Sequence, residues 1–429
     1  MRDLGIIIAH ELSPSSGSEC ANGWNILNNL QNPIDIVVFY ARSNQSLTND
    51  YEKEIGQYHA VLAARGIYAV SIEYPWYCRA LSRLSFLLSR DRATGYRAIY
   101  FLNYKIWLMR VRKRIVKEKT INNVRFIHLL NHISFREPGR FYDLDVPMIW
   151  GPISGLARIK NAFMDGRSFV ELMVNRLRNM SNWLAIKSRN VKRTCKQASH
   201  VFAVTNEDIQ LLPECSGKTT LLPDVGCDIL KSASYRSSSS LCAPFKLLWV
   251  GRIDFNKALH ILFHALSGLE DNHKKFELTV IGSGPLINEM KRLAARDCPL
   301  LNVTWMGQVQ RDSVFDAMKS HDLFVLTSIK EAACTSVMEA LSHGLPVVCH
   351  DAFGMSTSVD DTCGWKVEYH SPRRSIDGFR EVLASVAERP DRLIAKARGA
   401  LVRRQNLSWK MLATRLSNVY IEISRDRDA

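Results

Sequence analysis

The sequence predicts an α/β protein of two doubly wound domains facing each other across a cleft. Three observations predict it. The chain has 429 residues, and a single hydrophobic core rarely grows past roughly 250–300 residues. Two series of short apolar, β-branched runs alternate with helical patterns, as in parallel sheets covered on both faces. Between the series lies SASYRSSSSLCAP, Ser232–Pro244, whose serine run has little core-forming potential.

In order, the first series reads Leu4–Ala9, Asp35–Tyr40, Ile67–Glu73, Val124–Leu130, Pro147–Trp150 and His200–Thr205 as strands. The second reads Lys246–Val250, Glu277–Ile281, Asn302–Met306, Leu323–Thr327 and Pro346–Cys349. Each strand is followed by a helical pattern, the signature of a doubly wound sheet. From Leu407 the run LSWKMLATRLSNVYIEI is an amphipathic helix with no strand after it, expected to pack back on the core. The expected domains are 1–225, 226–406, and a helix with a polar tail at 407–429. Ligands of such sheets bind beyond the carboxyl ends of the strands. Site residues should therefore come directly after strands.

Composition narrows the class. Apolar residues are 46% and charged residues 23%, which excludes a disordered chain, a collagen and a small disulfide scaffold. The ten cysteines are scattered with no C-x-x-C pair. A structural zinc site is disfavoured, and free thiols in a reducing cytosol are expected. The N-terminal apolar run is too short for a signal peptide, and no stretch reaches the roughly 18 residues of a spanning helix. The expectation is a soluble cytoplasmic protein, peripheral at most on the inner face of the membrane.

Lys and Arg number 57 and Asp and Glu 42, a net charge of +15. Up to Asp224 the counts are 30 and 19; from Val225 they are 27 and 23. The excess concentrates in two helical segments, Arg79–Lys119 with 12 basic and two acidic residues, and Arg158–Lys196 with 10 and two. Three readings stay open: a solvated helix face, a surface resting on anionic lipid headgroups, and a nucleic-acid footprint. No nucleic-acid motif accompanies the charge, which disfavours the last.

The sharpest chemistry lies in the second half. After the strand at 246–250 come Gly251-Arg252-Ile253-Asp254-Phe255-Asn256-Lys257. Arg252 and Lys257, five apart across a strand-to-helix loop, can reach one anion, and a diphosphate suits a fork and a point charge. After 277–281 come Gly282-Ser283-Gly284-Pro285, where glycine allows a tight turn or close approach to a ligand. After 323–327 comes Glu331, with Glu339 beyond it in a helix expected to start near Thr335. Thr335 and Ser336 stand at that helix start, where unpartnered N–H groups attract anions. Glu339 is flanked by apolar residues and needs a partner, such as ribose hydroxyls. Eight helical residues rise about 12 Å, against about 5–5.5 Å for a retaining glycosidase pair, so hydrolysis is disfavoured unless the loop folds the two together.

The order GR-x4-K, IGSGP, then E-x7-E and G-x-P-V resembles glycosyltransferase family 4, the retaining nucleotide-sugar transferases of GT-B fold, with two Rossmann-like domains. The match runs from Lys246 to Val367 and ends in DDTCGWKV. HELSPSSGSECANGWN resembles a branch of that family that works on bacterial surface polysaccharides. The resemblance implies that Gly17, in the first loop, lies near the diphosphate and acceptor, and that His132 in NHISF lies near the donor sugar. It places Glu331, His132, Arg252 and Lys257 in catalysis, and Gly251, Gly282, Gly284, Thr335, Ser336 and Glu339 in donor binding. Two stretches depart from it. Ala332-Ala333-Cys334-Thr335 replaces Gly-Phe-Gly type residues, and Asp224-Val225-Gly226-Cys227-Asp228 stands at the usual N-G-V-D.

By that resemblance the chain is expected to be a retaining transferase of hexosyl type. It would move a sugar from a UDP- or GDP-sugar to a glycan or lipid-linked acceptor, in polysaccharide or lipopolysaccharide synthesis. Side-chain cations and a helix end would meet the leaving charge, so no metal or other cofactor is expected. The triplets Asp143-Leu144-Asp145 and Asp426-Arg427-Asp428 are given no metal role. The rivals are a nucleotide-sugar epimerase of the same fold and a basic nucleic-acid-binding protein.

Overall fold

The chain's two sheets are seen in a computed structural model, which describes residues 2–14, 17–41, 56, 58–88, 97–165, 169–230, 243–269, 275–332 and 334–426. The first sheet contains β1 (Asp3–Ala9), β2 (Asp35–Ala41), β3 (Ile67–Ile72), β4 (Asn123–Asn131), β5 (Met148–Ile153), β6 (His200–Ala203) and β7 (Thr219–Leu221), in the order β3-β2-β1-β4-β5-β6-β7. The second contains β8 (Phe245–Val250), β9 (Phe276–Ile281), β10 (Asn302–Gly307), β11 (Leu323–Leu326), β12 (Val347–His350) and β13 (Gly364–Val367), in the order β10-β9-β8-β11-β12-β13. Every pairing is parallel, with Ile6 opposite both Val37 and Ile127 at the centre of the first sheet. These are two Rossmann-like halves, as expected. Part of the expected join, residues 231–242, lies outside the described residues.

Burial explains the strand pattern. The central strands β11 and β12 are buried throughout, and β4 from Val124 onward. They are read as continuous apolar runs because helices cover both faces. The edge strand β10 alternates exposed and half-buried residues. The sequence reading missed β7 and β13, both at sheet edges. β7 is three residues long with no fully buried residue, and β13 is four long. Neither contains an apolar run long enough to announce a strand.

Strand order reverses between β1 and β4, and again between β8 and β11. Crevices for ligands open at such points. The helix Gly17–Asn29 comes after β1, and the loops after β4 and β11 carry His132 and Glu331. The two halves touch through side chains: Phe163 stacks on Tyr369 at 4.7 Å, and the Phe353 amide donates to Glu207 Oε1 at 3.2 Å.

The helix Trp409–Asp426 leaves the second half and packs on the first. Tyr420 stacks on Phe126 at 4.4 Å and shares a 2.5 Å hydrogen bond with His128 Nδ1. The Gln31 amide donates to Ser417 Oγ, and Arg125 donates to the Ser424 carbonyl. The expectation of free thiols is corrected at one pair. Cys195 and Cys215 form a disulfide, their Cα atoms 4.9 Å apart, joining the helix Arg189–Gln197 to the turn Pro213–Lys218. Pairing across 20 residues is set by the fold and leaves no spacing signal in the sequence.

The basic segments form the helices Trp76–Leu88, Arg97–Lys119, Phe169–Lys187 and Arg189–Gln197. Among the described residues no helix is long and apolar enough to cross a membrane. Phe169–Lys187 is amphipathic with its faces reversed. Asn182 is buried and Asn175, Arg178 and Asn179 half-buried, while Phe169, Met173, Leu177, Met180 and Leu184 face outward, Phe169 being 75% exposed.

Candidate active site at the interdomain cleft

Glycine brings the loops after β8 and β9 together. Gly282 has φ +131°, and a Cβ there would lie 1.9 Å from the Gly251 carbonyl oxygen. A Cβ on Gly284 would lie 2.3 Å from the Ile253 carbonyl oxygen. Without side chains at these two points, the Ile253 amide donates to the Ser283 carbonyl at 2.9 Å and the loops interlock. Gly251, Arg252, Gly282, Gly284, Gln308 and Val309 line a cavity of about 630 Å³ beside this junction.

The two cations expected on one anion face different carboxylates. Arg252 is extended, 71% exposed, with Nε 3.6 Å from Asp254 Oδ2. Lys257 lies deeper and pairs with Glu331. Its backbone is fixed at both ends: its amide donates to Asp254 Oδ1 at 3.1 Å, and its carbonyl accepts from Thr327 Oγ1 at 3.0 Å. Thr327 in turn accepts from the Trp249 indole at 3.3 Å.

The helix Thr335–Ser342 starts at Thr335, as expected. Its cap residue is Cys334, at φ 42°, with no side-chain cap bond. The first amides therefore point out of the helix end, with the positive end of its dipole behind them. Burial pushes the Cys334 thiol well above its ordinary range, so it is a packed thiol rather than a nucleophile. Glu339 has a partner that sequence reasoning missed. Arg311 holds Oε1 with Nη2 at 2.9 Å and Nε at 3.2 Å. Burial raises the Glu339 carboxyl above its usual range, and Arg311 works against that rise. Arg311 carried no signal, because it opens the helix after β10, outside every motif.

The first half supplies the opposite wall. His132 comes after β4, its ring stacked on Phe101 at 5.8 Å and edge-on to Tyr100 and Tyr104 at 5.4 Å. Behind it His10 is buried among Tyr74, Tyr104 and Trp107, with Nε2 2.5 Å from Tyr74 Oη. Burial, and then the His132 ring, lower His10 to about 3. It is a neutral support for the His132 shelf. Gly17 opens the helix after β1. Asp143 of the first D-x-D triplet pairs with Arg112 at 2.9 Å. Asp428 of the second lies outside the described residues.

A half-open cavity of about 380 Å³ lies between the two halves, lined by Ser134, Arg136, Ser154 and Arg178 on one side and Asn256 and Glu331 on the other. It brings Glu331 opposite the segment after His132. Glu339 lies with Arg311, so the two glutamates of the motif serve different places. Arg136 stands one residue beyond NHISF, and Arg178 is hidden inside a basic run. Neither stood out in the sequence.

Residues 238–400 match the family described as Glycosyl transferases group 1. The chain is 25% identical over 183 residues to the glycogen synthase of Mycobacterium tuberculosis, covering 42% of this chain and 44% of that protein. It is 25% identical over 257 residues to the D-inositol 3-phosphate glycosyltransferase of Corynebacterium jeikeium, covering 54% and 60%. The matched stretches thus span less than two thirds of these relatives. Among solved structures, the lipopolysaccharide outer core galactosyltransferase WaaB in apo form aligns with TM-score 0.59 and 15% identity, over 98% of this chain and 99% of that one. Anabaena Alr3699/HepE in complex with UDP aligns with TM-score 0.56 and 14% identity, over 98% and 100%. The fold is therefore that of the GT-B proteins, two facing Rossmann-like domains, and the second half is similar to the family described as Glycosyl transferases group 1.

Proposed function

We propose that this protein is a retaining glycosyltransferase that moves a sugar from a UDP- or GDP-sugar to a glycan or lipid-linked acceptor. The observation that carries the reading is the Lys257–Glu331 pair, set on strand-end loops of the second sheet, with Glu331 lining a half-open cavity whose other wall comes from the first half.

In this reading the nucleotide docks in the glycine-lined cavity. Its ribose hydroxyls donate to Glu339, beside Arg311. Its diphosphate meets Arg252 and the amides at Thr335 and Ser336. As the sugar–phosphate bond breaks, negative charge grows on the leaving diphosphate. Lys257, fixed by Asp254 and Thr327, is placed to meet that charge, so stabilisation is greater in the transition state than in the ground state. Glu331 and His132 orient the sugar. The acceptor attacks from the same face, and the leaving phosphate takes its proton. Closure of the halves would exclude water.

Two features support a role in polysaccharide synthesis and a lipid-linked acceptor. The matched proteins include a glycogen synthase and a lipopolysaccharide galactosyltransferase, and the helix Phe169–Lys187 bears an outward apolar row. The test is thermal stabilisation by UDP, GDP, ADP and CMP in parallel, with a DNA duplex as control. Ligand at about 100 times its Kd stabilises by about 2.7 kcal/mol. A shift with UDP or GDP, abolished in Glu339→Ala, is expected. No nucleotide shift, with a salt-sensitive response to DNA, overturns the reading.

A further inference from the structure

The cleft wall opposite Glu331 is built around two arginines that the transfer mechanism does not use. Arg136 is held in place. Its guanidinium donates to Asn182 Oδ1 from Nε at 3.1 Å and Nη2 at 2.5 Å. It lies over the Phe101 and Phe135 rings at 5.6 and 5.9 Å. Asn182 is 1% exposed and donates to the Gly155 carbonyl at 2.9 Å, which fixes its amide. Arg178 stands one helical turn before Asn182, and its Nη2 donates to Asn175 Oδ1 at 2.6 Å. Both arginines line the same 380 Å³ cavity as Ser134 and Ser154. Glu331, the cavity's carboxylate, is engaged by Lys257, and Lys330 adds a third cation to the lining. Two arginine forks on one cavity wall suit an oxyanion.

We propose that Arg136 and Arg178 form an acceptor subsite that reads an oxyanion, a phosphate or a carboxylate carried by the acceptor near its reacting hydroxyl. The proposal rests on the transferase reading and names the acceptor's chemical class. Planar forks suit the paired oxygens of either group. The Asn182 brace and the aromatic rings hold Arg136 in one pose, which lowers the ordering cost of binding. The helix that brings Arg178 to the cavity also bears the outward apolar row. An acceptor with a lipid tail and a phosphate would meet both faces of that one helix.

The test titrates inorganic phosphate, and separately glucuronate, into the full chain carrying Arg252→Ala. That background weakens the proposed donor-diphosphate site. The same titrations are run with Arg178→Ala added, and with Arg178→Lys. A charged hydrogen bond contributes about 1.5–3 kcal/mol, so binding should weaken at least about tenfold in Arg178→Ala. It should recover in part in Arg178→Lys. Phosphate binding without glucuronate identifies a phosphate acceptor, and the reverse a carboxylate. Equal binding in all variants, or no binding of either probe, overturns the subsite. Should Arg178→Ala lower the melting temperature by more than a few degrees, Arg178→Gln replaces it. The transferase reading fails by a different result, the absence of any nucleotide shift. A chain that loses that shift but keeps Arg178-dependent phosphate binding would retain the subsite and lose the reaction.

Discussion

Lys257 holds Glu331 and Arg311 holds Glu339, so both glutamates of the E-x7-E motif have ionic partners. The sequence made the positions of these carboxylates legible, through their spacing from a strand end and a helix start. It did not make their partners legible. Arg311, Arg136 and Asn182 come from other elements, and only the fold brings them close. Likewise, the spacing of Arg252 and Lys257 suggests one shared anion, yet their side chains turn to Asp254 and Glu331. A ligand that competes for Lys257 would release Glu331 to the sugar. Glu331→Ala should lower kcat by about 10²–10³-fold, the scale of losing one preorganised polar group. The pair is largely buried, Lys257 24% and Glu331 12% exposed, so Glu331→Ala should also lower the melting temperature, and Glu331→Gln, which keeps the volume, should lower it less. Near-normal turnover would remove Glu331 from the site.

Strands were the most legible elements, because parallel strands buried on both faces must be continuously apolar. Length limited the reading, and the two missed strands are short edges. Helices were legible by composition, but not by which face turns inward. In Phe169–Lys187 the row Phe169, Met173, Leu177, Met180, Leu184 and the row Asn175, Arg178, Asn179, Asn182 both obey helical spacing. An apolar row ordinarily faces the core; here the polar row is turned inward, with Arg178 at the cavity. The helix Trp76–Leu88 adds Trp76 and Leu87, 75% and 79% exposed. With Arg176 and Lys187 alongside, the outward row suits an anionic bilayer, where charge and shallow burial act together. In flotation assays the protein should rise with anionic vesicles and far less with neutral ones. Each buried Leu or Met contributes about 1.5–3 kcal/mol, so Leu177→Asp with Met180→Asp should reduce binding more than tenfold. Absence from both vesicle types would sink the idea.

Across the whole molecule, the two-domain architecture was legible from chain length and the doubled strand series. The path of the last described helix was not, since an amphipathic face fits either half. It is settled by His128, whose ring lies between the Gly151 carbonyl and the Tyr420 hydroxyl. Burial lowers His128 to about 3. The folded ring therefore stays neutral where the unfolded ring, near 6.5, takes a proton. The stability it contributes is full above about pH 6.5 and is lost as pH falls toward 3. His10, at about 3, and His350, at about 4, act in the same direction. Urea unfolding between pH 7 and 4.5 should show wild-type stability falling with pH. His128→Gln should be weaker at pH 7 but less steep by up to about 1.4 kcal/mol per pH unit. Parallel slopes would mean the ring does not couple pH to folding. The same helix has a consequence for biosynthesis. The first sheet leaves the ribosome by Leu221, yet the layer over Phe126 and His128 is not translated until Trp409–Asp426. At about 5–20 residues per second, the nascent first half waits on the order of 10–40 s with that face bare. During this time it is a natural client for a chaperone, and it can be completed only after the second half has emerged.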